Sequence, residues 1–305
     1  MNRKVLIIYH RVDFDGVFSC CVSKFYYSQQ ESVEVTTLGW TYGDLIPELP
    51  KDVDEIVMVD ISFPPDYMVE LVKNYKLTYI DHHQTAITAS IDKGFDNVPG
   101  IREQGIAACE LCWKYFFPNF EVPLIIQYLS TWDVWNKERF DWENNVKPLQ
   151  KILKTIYGMS ETAIYADFPT MISPNYDFTG LLEKGRLIQQ YENKQFRAAV
   201  KAYSFPITVN GKYKGVCMLT NNFGSGIFES VLNDYDIYVT ANRRTAPDGR
   251  MYFAIGMYAE PGRIDFSLGE YLRGRFGTKA GGHPCAAGSE IDEETFRQLI
   301  IDQVI

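Results

Sequence analysis

Residues 4–16 read KVLIIYHRVDFDG, an apolar run that ends in a histidine and leads through two aspartates to a glycine. The run over residues 4–9 has no polar alternation, which is typical of a strand covered on both faces of a parallel sheet. A helix is predicted next, over residues 16–27. Further strands are predicted at 33–38, 55–60 and 77–81, with a helix at 65–74. Apolar strands that alternate with helices predict an α/β domain with a Rossmann-like parallel sheet.

The character of the sequence changes at Ser204. Helical patterns dominate residues 105–203, whereas strand patterns at 205–209 and 214–219 flank Asn210-Gly211, a dipeptide typical of tight hairpins. The remaining predicted elements are strands at 236–241 and 251–258 and helices at 227–232 and 266–276. This mixture predicts a smaller α+β domain.

These patterns divide the chain into three parts. We predict a first domain over residues 1–185, a connector helix over 186–203 and the smaller domain over 204–305. A chain of 305 residues is long enough for two domains with separate cores. Because open parallel sheets bind ligands at the carboxyl ends of their strands, we expect the site at that edge of the sheet.

The composition disfavours several classes of function. No apolar run approaches the ~20 residues that span a bilayer, and the first apolar stretch breaks at His10 and Arg11, too early for a signal peptide. We therefore expect a cytoplasmic protein without a membrane partner. The formal net charge of −9 disfavours long nucleic acids, which are usually bound by a basic face, but it allows short substrates whose charge is offset by metal ions.

The six cysteines do not predict a disulfide scaffold in a chain of this size. Cys109 and Cys112 form a CxxC pair, but their neighbours indicate a buried helix. Core packing is therefore favoured over redox chemistry, which would need an exposed and easily ionised thiol.

Histidines and aspartates follow the predicted strands where each strand ends. His10, Asp13 and Asp15 follow the first strand, Asp60 ends the third and Asp81-His82-His83 ends the fourth. Any one aspartate is as often a helix N-cap as a ligand, and a lone histidine is more often a core or surface residue. Three strand ends with the same pattern favour a metal site, because burying so many carboxylates together needs cations. Imidazole and carboxylate without thiolate favour manganese, zinc or iron, and the number of ligands predicts two ions.

Two further segments carry candidate site residues. Asp133 ends a predicted apolar helix between two tryptophans, where either a metal ion or a salt bridge would satisfy it. Residues 279–288 read KAGGHPCAAG. Small residues let backbone amides approach an anion, so Gly281, Gly282 and His283 are predicted to bind a substrate phosphate in a glycine-rich loop, in preference to forming only a tight turn.

Together these motifs resemble the DHH phosphoesterase family, in the form that carries a DHH-associated C-terminal domain. Asp81-His82-His83 is similar to the triplet that names the family, and residues 10–16, HRVDFDG, are similar to its first motif. Asp60 and Asp133 fall where its second and fourth motifs would, and residues 281–288 match its C-terminal GGHxxAAG motif. The matches span nearly the whole chain in the expected order, which makes the resemblance specific.

The resemblance implies a role for each residue. Six side chains would be metal ligands in two sets that share one carboxylate: His10 and Asp13 for one ion, Asp15, His82 and Asp133 for the other, and Asp60 as the bridge. His83 would contact the scissile phosphate or its leaving oxygen, and Asp81 would orient the triplet. The cofactors would be two divalent ions, Mn²⁺ before Mg²⁺ or Co²⁺. The resemblance also implies that the metal site lies in the cleft between the two domains.

The predicted function is hydrolysis of phosphodiester bonds, with a short single-stranded oligonucleotide or a small nucleotide as substrate, as in an oligonucleotide exonuclease. The alternatives within the family are a cyclic-dinucleotide phosphodiesterase, a nucleotide phosphatase, a single-strand exonuclease and a polyphosphatase, and the acidic balance counts against the last two. A non-catalytic nucleotide-binding module is disfavoured, because none of the six ligands is missing. The sequence leaves the oligomeric state open, and a homodimer is compatible with it.

Overall fold

A computed structural model describes residues 2–220, 224–246, 248–277, 280–282 and 284–302. The chain divides into two units, Met1–Gln189 and Gln190–Ile305. One helix, Thr179–Tyr203, contains the point of division. None of the helices within the described ranges combines the length and the hydropathy that crossing a bilayer requires.

The first unit contains a four-stranded sheet. Its strands are β1 (Arg3–His10), β2 (Val33–Trp40), β3 (Glu55–Val59) and β4 (Lys76–Ile80), in the order β2-β1-β3-β4. Every neighbouring pair is parallel. The predicted α/β class with a parallel sheet is therefore confirmed.

The apolar runs of the central strands are buried on both faces of this sheet. Along β1, Val5 and Ile7 belong to the core on one face, whereas Leu6 and Ile8 belong to the core on the other. Because successive side chains of a strand point to opposite faces, a doubly covered strand needs apolar residues at every position. The covering helices are α1 (Phe14–Ser28), α2 (Pro65–Asn74), α3 (Gln84–Asp92), α4 (Ala108–Phe116), α5 (Leu124–Asp133), α6 (Lys147–Tyr157), α7 (Glu161–Met171) and the first part of α8 (Thr179–Tyr203), with a π-helical turn at Trp142–Val146.

Gly16 fixes how α1 starts beside the end of β1. Gly16 has no left-handed backbone angle, so the backbone conformation is not what requires a glycine there. A glycine is required because there is no room for a side chain: a Cβ atom at this position would lie 2.0 Å from the backbone oxygen of His10. Asp13 caps the same helix, with its Oδ1 accepting the amide hydrogen of Gly16 at 2.9 Å.

A buried glutamate anchors the opposite edge of the sheet, where β3 begins. Glu55 is 2% exposed and accepts hydrogen bonds from Tyr27 at 2.7 Å, from Lys76 at 3.0 Å and from Arg3. Burial by itself would raise the pKa of Glu55, but these three hydrogen bonds outweigh it and hold the pKa below its ordinary value. The charge of Glu55 is therefore satisfied within the fold.

The second unit contains a six-stranded mixed sheet in the order β5-β6-β7-β8-β10-β9. Its strands are β5 (Ser204–Val209), β6 (Tyr213–Leu219), β7 (Ile237–Thr245), β8 (Met251–Tyr258), β9 (Ala280–Gly282) and β10 (Ala286–Asp292). Asn210 and Gly211, in the turn between β5 and β6, have φ angles of 50° and 64°. The amide of Lys212 donates to the backbone oxygen of Val209 at 3.2 Å across this turn, and the left-handed backbone is what makes Asn-Gly typical of tight hairpins, as the sequence predicted. The helices α9 (Leu268–Phe276) and α10 (Glu293–Asp302) complete the unit.

Two predicted segments of the second unit differ in the structure. The helix predicted at 227–232 is a 3₁₀ helix, Ser225–Val231. The prediction of a glycine-rich loop was wrong for Gly281 and Gly282, because they lie in β9, which pairs with β10. The glycines permit this pairing, since a Cβ atom on Gly282 would lie 2.5 Å from the backbone oxygen of Ala286. His283, predicted to bind phosphate, lies outside the described residues.

Candidate metal centre

The carboxyl ends of β1, β3 and β4 bring the predicted histidines and aspartates together. Their ligand atoms form three groups, in each of which all atoms lie within 4.8 Å of one another: His10, Asp13 and Asp60; Asp15, His82 and Asp133; and Asp60, His82 and His83. Asp60 and His82 each belong to two groups, so the three groups form one continuous cluster. The convergence expected from the strand ends is observed, and Asp133 joins it from the end of α5.

Asp60 lies between two histidines and directs one carboxylate oxygen towards each. Its Oδ2 is 3.6 Å from His10 Nδ1, and its Oδ1 is 3.3 Å from His82 Nε2. The residue is buried, and its φ of 60° is in the left-handed region. Such a backbone costs a non-glycine residue on the order of 1 kcal/mol and is concentrated at functional sites. A carboxylate that bridges two cations needs this placement of its two oxygens.

His10 and Asp13 form the first side of the cluster. His10 Nδ1 lies 2.8 Å from Asp13 Oδ2, while the other oxygen of Asp13 caps α1. Asp13 therefore combines the helix-cap role with the position expected of a ligand. His10 Nε2 is 3.2 Å from the hydroxyl of Thr41. Sequence reasoning missed Thr41, although it directly follows β2 at the same edge of the sheet.

Asp15 is held by the first turn of α4. Its Oδ2 accepts the amide hydrogen of Ala108 at 2.8 Å, and its Oδ1 accepts that of Cys109 at 2.7 Å. Amides at a helix N-terminus favour a negative charge. Cys109 and Cys112 are completely buried, as the core-packing interpretation predicted. The helix with the CxxC pair thus contributes backbone amides to the cluster.

His82 joins Asp15 and Asp133 into the second side of the cluster. His82 Nε2 lies 3.5 Å from Asp15 Oδ2 and 3.3 Å from Asp133 Oδ2. The same nitrogen faces Asp60, so one imidazole meets three carboxylates. An arrangement of this kind concentrates negative charge around a single point.

Asp81 belongs to none of the three groups, but it contacts His83, which belongs to one of them. Its Oδ1 accepts the backbone amides of His82 and His83 at 2.7 and 3.0 Å and lies 2.7 Å from His83 Nδ1. Its Oδ2 accepts a hydrogen bond of 2.6 Å from the hydroxyl of Tyr79. Burial would raise the pKa of Asp81, but the hydrogen bonds from His83 and Tyr79 outweigh it and lower the pKa. Sequence reasoning missed Tyr79, which lies two residues earlier on the same face of β4.

The cluster carries more negative charge than its protein neighbours neutralise. Burial, together with repulsion from nearby carboxylates, raises the pKa of Asp60 and of Asp133 to about 7. Burial likewise raises the pKa of Asp15. His10 Nδ1 and Asp60 Oδ1 are buried atoms that form no hydrogen bond of good geometry, although His10 Nδ1 lies 2.8 Å from Asp13 Oδ2 and Asp60 Oδ1 lies 3.3 Å from His82 Nε2. Divalent cations fit this donor set, because they would offset the repulsion and engage both atoms.

The glycine-rich segment of the second unit has a basic neighbour that the sequence did not reveal. Arg273 lies on α9, and a Cβ atom added to Gly281 would lie 3.1 Å from Arg273 Nη2. The same guanidinium approaches the backbone oxygen of Ala280, at 3.5 Å from Nε. A positive charge therefore lies beside the strand that was predicted to bind phosphate.

Comparison with known proteins identifies solved structures with a similar fold. No protein-family model matches the chain, and no curated protein sequence matches it. Solved structures that are similar over nearly the whole chain include the following two. The pGpG-specific phosphodiesterase PggH from Vibrio cholerae is 14% identical, with 98% of this chain and 96% of PggH covered and a TM-score of 0.53. The DHH domain of PF0399, a member of a family of ribosomal proteins, is 13% identical, with coverage of 99% and 85% and a TM-score of 0.61.

The chain therefore has the fold of DHH-domain proteins, and the resemblance indicated by its motifs is confirmed at the level of the fold.

Proposed function

We propose that the chain is a metal-dependent phosphoesterase that hydrolyses phosphodiester bonds of short oligonucleotides or small nucleotides. The observation that carries the proposal is the position of Asp60, whose two oxygens face His10 and His82 within one cluster. Two divalent ions bound there would activate a water molecule and neutralise charge on the phosphoryl group.

Six residues would hold the two ions, in the sets that the sequence predicted: His10 and Asp13, then Asp15, His82 and Asp133, with Asp60 shared. Their imidazole and carboxylate donors suit Mn²⁺ best, with Mg²⁺ and Co²⁺ as alternatives. The buried atoms His10 Nδ1 and Asp60 Oδ1 support this assignment, because their contacts with neighbouring side chains lack good hydrogen-bond geometry and a cation would engage both atoms.

His83 would contact the scissile phosphate or its leaving oxygen. It is the most exposed of the three histidines in the cluster, with 38% of its side chain accessible, against 14% for His10 and 13% for His82. Asp81 would act as a positioning residue, because its Oδ1 fixes the imidazole of His83 through Nδ1. Nε2 of His83 is then the ring nitrogen available to a substrate.

The substrate is proposed to be short. Residues 190–305 contain thirteen Lys and Arg and thirteen Asp and Glu, so the second unit has no excess of positive charge for a long nucleic acid. Gly281, Gly282 and His283, with Arg273 beside Gly281, would bind a phosphate of the substrate. The fold is shared with a phosphodiesterase specific for pGpG, which supports a linear dinucleotide as the first substrate to test.

The test is an activity screen with Mn²⁺ over linear dinucleotides, cyclic dinucleotides, longer RNA and DNA, nucleoside bisphosphates and polyphosphate. We expect the highest kcat/KM for linear dinucleotides and other short oligonucleotides. Asp60→Asn should abolish turnover, whereas Asp177→Asn, which removes an exposed carboxylate outside the three groups, should not. Full activity of the Asp60 variant, or activity that persists after complete removal of metal, would contradict the proposal. Binding of nucleotides without turnover would instead favour a non-catalytic module.

A further inference from the structure

Trp135 is close in the chain to a residue of the candidate metal centre. It follows Asp133 by two residues, so their Cα atoms are at most about 7.6 Å apart. Asp133 Oδ2 is itself 3.3 Å from His82 Nε2. One nucleotide is large enough to reach from the cluster to a side chain at this distance.

Trp135 is the exposed member of a tryptophan cluster. Its ring contacts Trp132 and Trp142 edge to face, at centroid distances of 5.3 and 4.9 Å. Trp132 and Trp142 stack on each other at 5.1 Å, which makes the support rigid. Even so, Trp135 remains 52% exposed. A large aromatic surface is thus held in place but left open to solvent.

The backbone of Trp135 is in an unfavourable conformation. Its φ is 56°, in the left-handed region that bulky residues avoid. Conformations of this kind persist where the surrounding structure enforces them, and they cluster at binding and catalytic sites. Neither hydrophobic burial nor backbone preference accounts for a tryptophan at this position.

A lysine lies over the same ring. Lys137 Nζ is 5.1 Å from the ring centroid of Trp135. Lys137 is exposed, and no acidic group within the described residues forms an ion pair with it. Arg139, by contrast, is paired with Glu110 through two hydrogen bonds. Lys137 is therefore the basic side chain of this loop that can meet a phosphate.

We infer that Trp135 is a stacking platform for a nucleobase of the substrate and that Lys137 contacts a phosphate of the same nucleotide. This inference rests on the proposed function, and it adds a site that would bind a base of the substrate. Aromatic rings stack with any base, so the site selects nucleotides over other phosphate esters without selecting a sequence. A positive charge beside an aromatic ring matches a nucleotide, which joins a flat base to an anionic group.

The experiment uses the full-length protein with Mn²⁺ and measures binding by titration calorimetry. The two probes are a dinucleotide with a non-hydrolysable methylenephosphonate linkage and the same backbone without its bases. The variants are Trp135→Ala, Trp135→Phe, Lys137→Gln and the control Phe120→Ala, with folding checked by circular dichroism. Phe120 is 69% exposed and precedes α5, whose ten residues separate it from Asp133 by about 15 Å of helix.

We expect Trp135→Ala to weaken binding of the dinucleotide analogue by about 5- to 150-fold, the range measured for loss of one stacked base. Its affinity for the abasic analogue should not change, and Trp135→Phe should retain most of the affinity. Lys137→Gln should weaken both analogues alike, and Phe120→Ala should match the wild type.

Equal dinucleotide affinity of Trp135→Ala and wild type would overturn the inference, as would an equal loss for both analogues or no binding by the wild type. Unchanged affinity of Lys137→Gln would overturn the phosphate contact. Because the probes are inert, the proposed function is judged separately by turnover of the natural dinucleotide. A wild type that binds through Trp135 but hydrolyses nothing would refute hydrolysis and leave the stacking site supported.

Discussion

Replacement of Tyr79 by phenylalanine would test the support beneath the DHH-type triplet. The hydroxyl of Tyr79 donates to Asp81 Oδ2 at 2.6 Å, and both residues are completely buried. The ring of phenylalanine fills the same space, so the variant removes the hydrogen bond and little else. Asp81 Oδ1 would keep its contacts with the amides of His82 and His83.

The cost of this change follows from the charge and burial of Asp81. A hydrogen bond to a charged group contributes about 1.5–3 kcal/mol, and a buried carboxylate oxygen left without a donor lies at the upper end of that range. Water cannot replace the hydroxyl easily, because Asp81 has no exposed surface. We therefore expect Tyr79→Phe to lower the free energy of unfolding of the first unit by about 2–3 kcal/mol.

Tryptophan fluorescence during urea unfolding is the assay, because all five tryptophans lie between residues 40 and 142 and report on the first unit alone. The matched control is Tyr26→Phe, since the half-buried Tyr26 makes ring contacts but its hydroxyl forms no hydrogen bond within the described residues. Equal unfolding free energies for the two variants would refute the argued role of the Tyr79 hydroxyl.

Three further predictions concern the same unit. Asp81→Asn should lower kcat for a dinucleotide by about 10–100-fold, because it releases His83, and the number of bound Mn²⁺ ions measured by calorimetry should not change. An unchanged kcat would argue against a role of Asp81 in positioning His83. Gly16→Ala should destabilise the first unit by at least about 3 kcal/mol and weaken Mn²⁺ binding, because the new Cβ would overlap the backbone oxygen of His10. Urea unfolding identical to that of the wild type would show that α1 can shift freely. Glu55→Gln should lower the unfolding free energy at pH 7 by about 1–2 kcal/mol. Because the folded protein lowers the pKa of Glu55, this stabilisation is present above the pKa of the unfolded chain and is lost as the pH falls through the pKa of the folded protein. A difference between variant and wild type that grows in acid would contradict this sign.

The parts of the site that the sequence predicted are those encoded by local patterns. An apolar strand followed by an acid or a histidine shows both the strand and its end, which is why Asp60 and the triplet at 81–83 were found. The bounds of α2 were predicted correctly, because Pro65 favours the first turn of a helix. Parallel pairing then brought these ends to one edge, as expected for an α/β sheet.

The parts that the sequence did not predict depend on contacts between distant residues. The amides that hold Asp15 belong to Ala108 and Cys109, more than ninety positions along the chain. Thr41 follows a strand whose end carries neither an acid nor a histidine, so no chemical signal marked it. Residues 280–282 and 286–288 are glycines and small residues typical of a turn, and only their pairing across the sheet makes them strands.

In the proposed function, the two oxygens of Asp60 bind two different cations. A crystal structure with Mn²⁺, with the ions located by anomalous scattering, would test this arrangement. We expect two anomalous peaks about 3.5–4 Å apart, one beside His10 and Asp13, the other beside Asp15, His82 and Asp133, with an oxygen of Asp60 bound to each. Peaks that lie away from Asp60, or a fully occupied single ion that leaves His10 or His82 without metal, would contradict it.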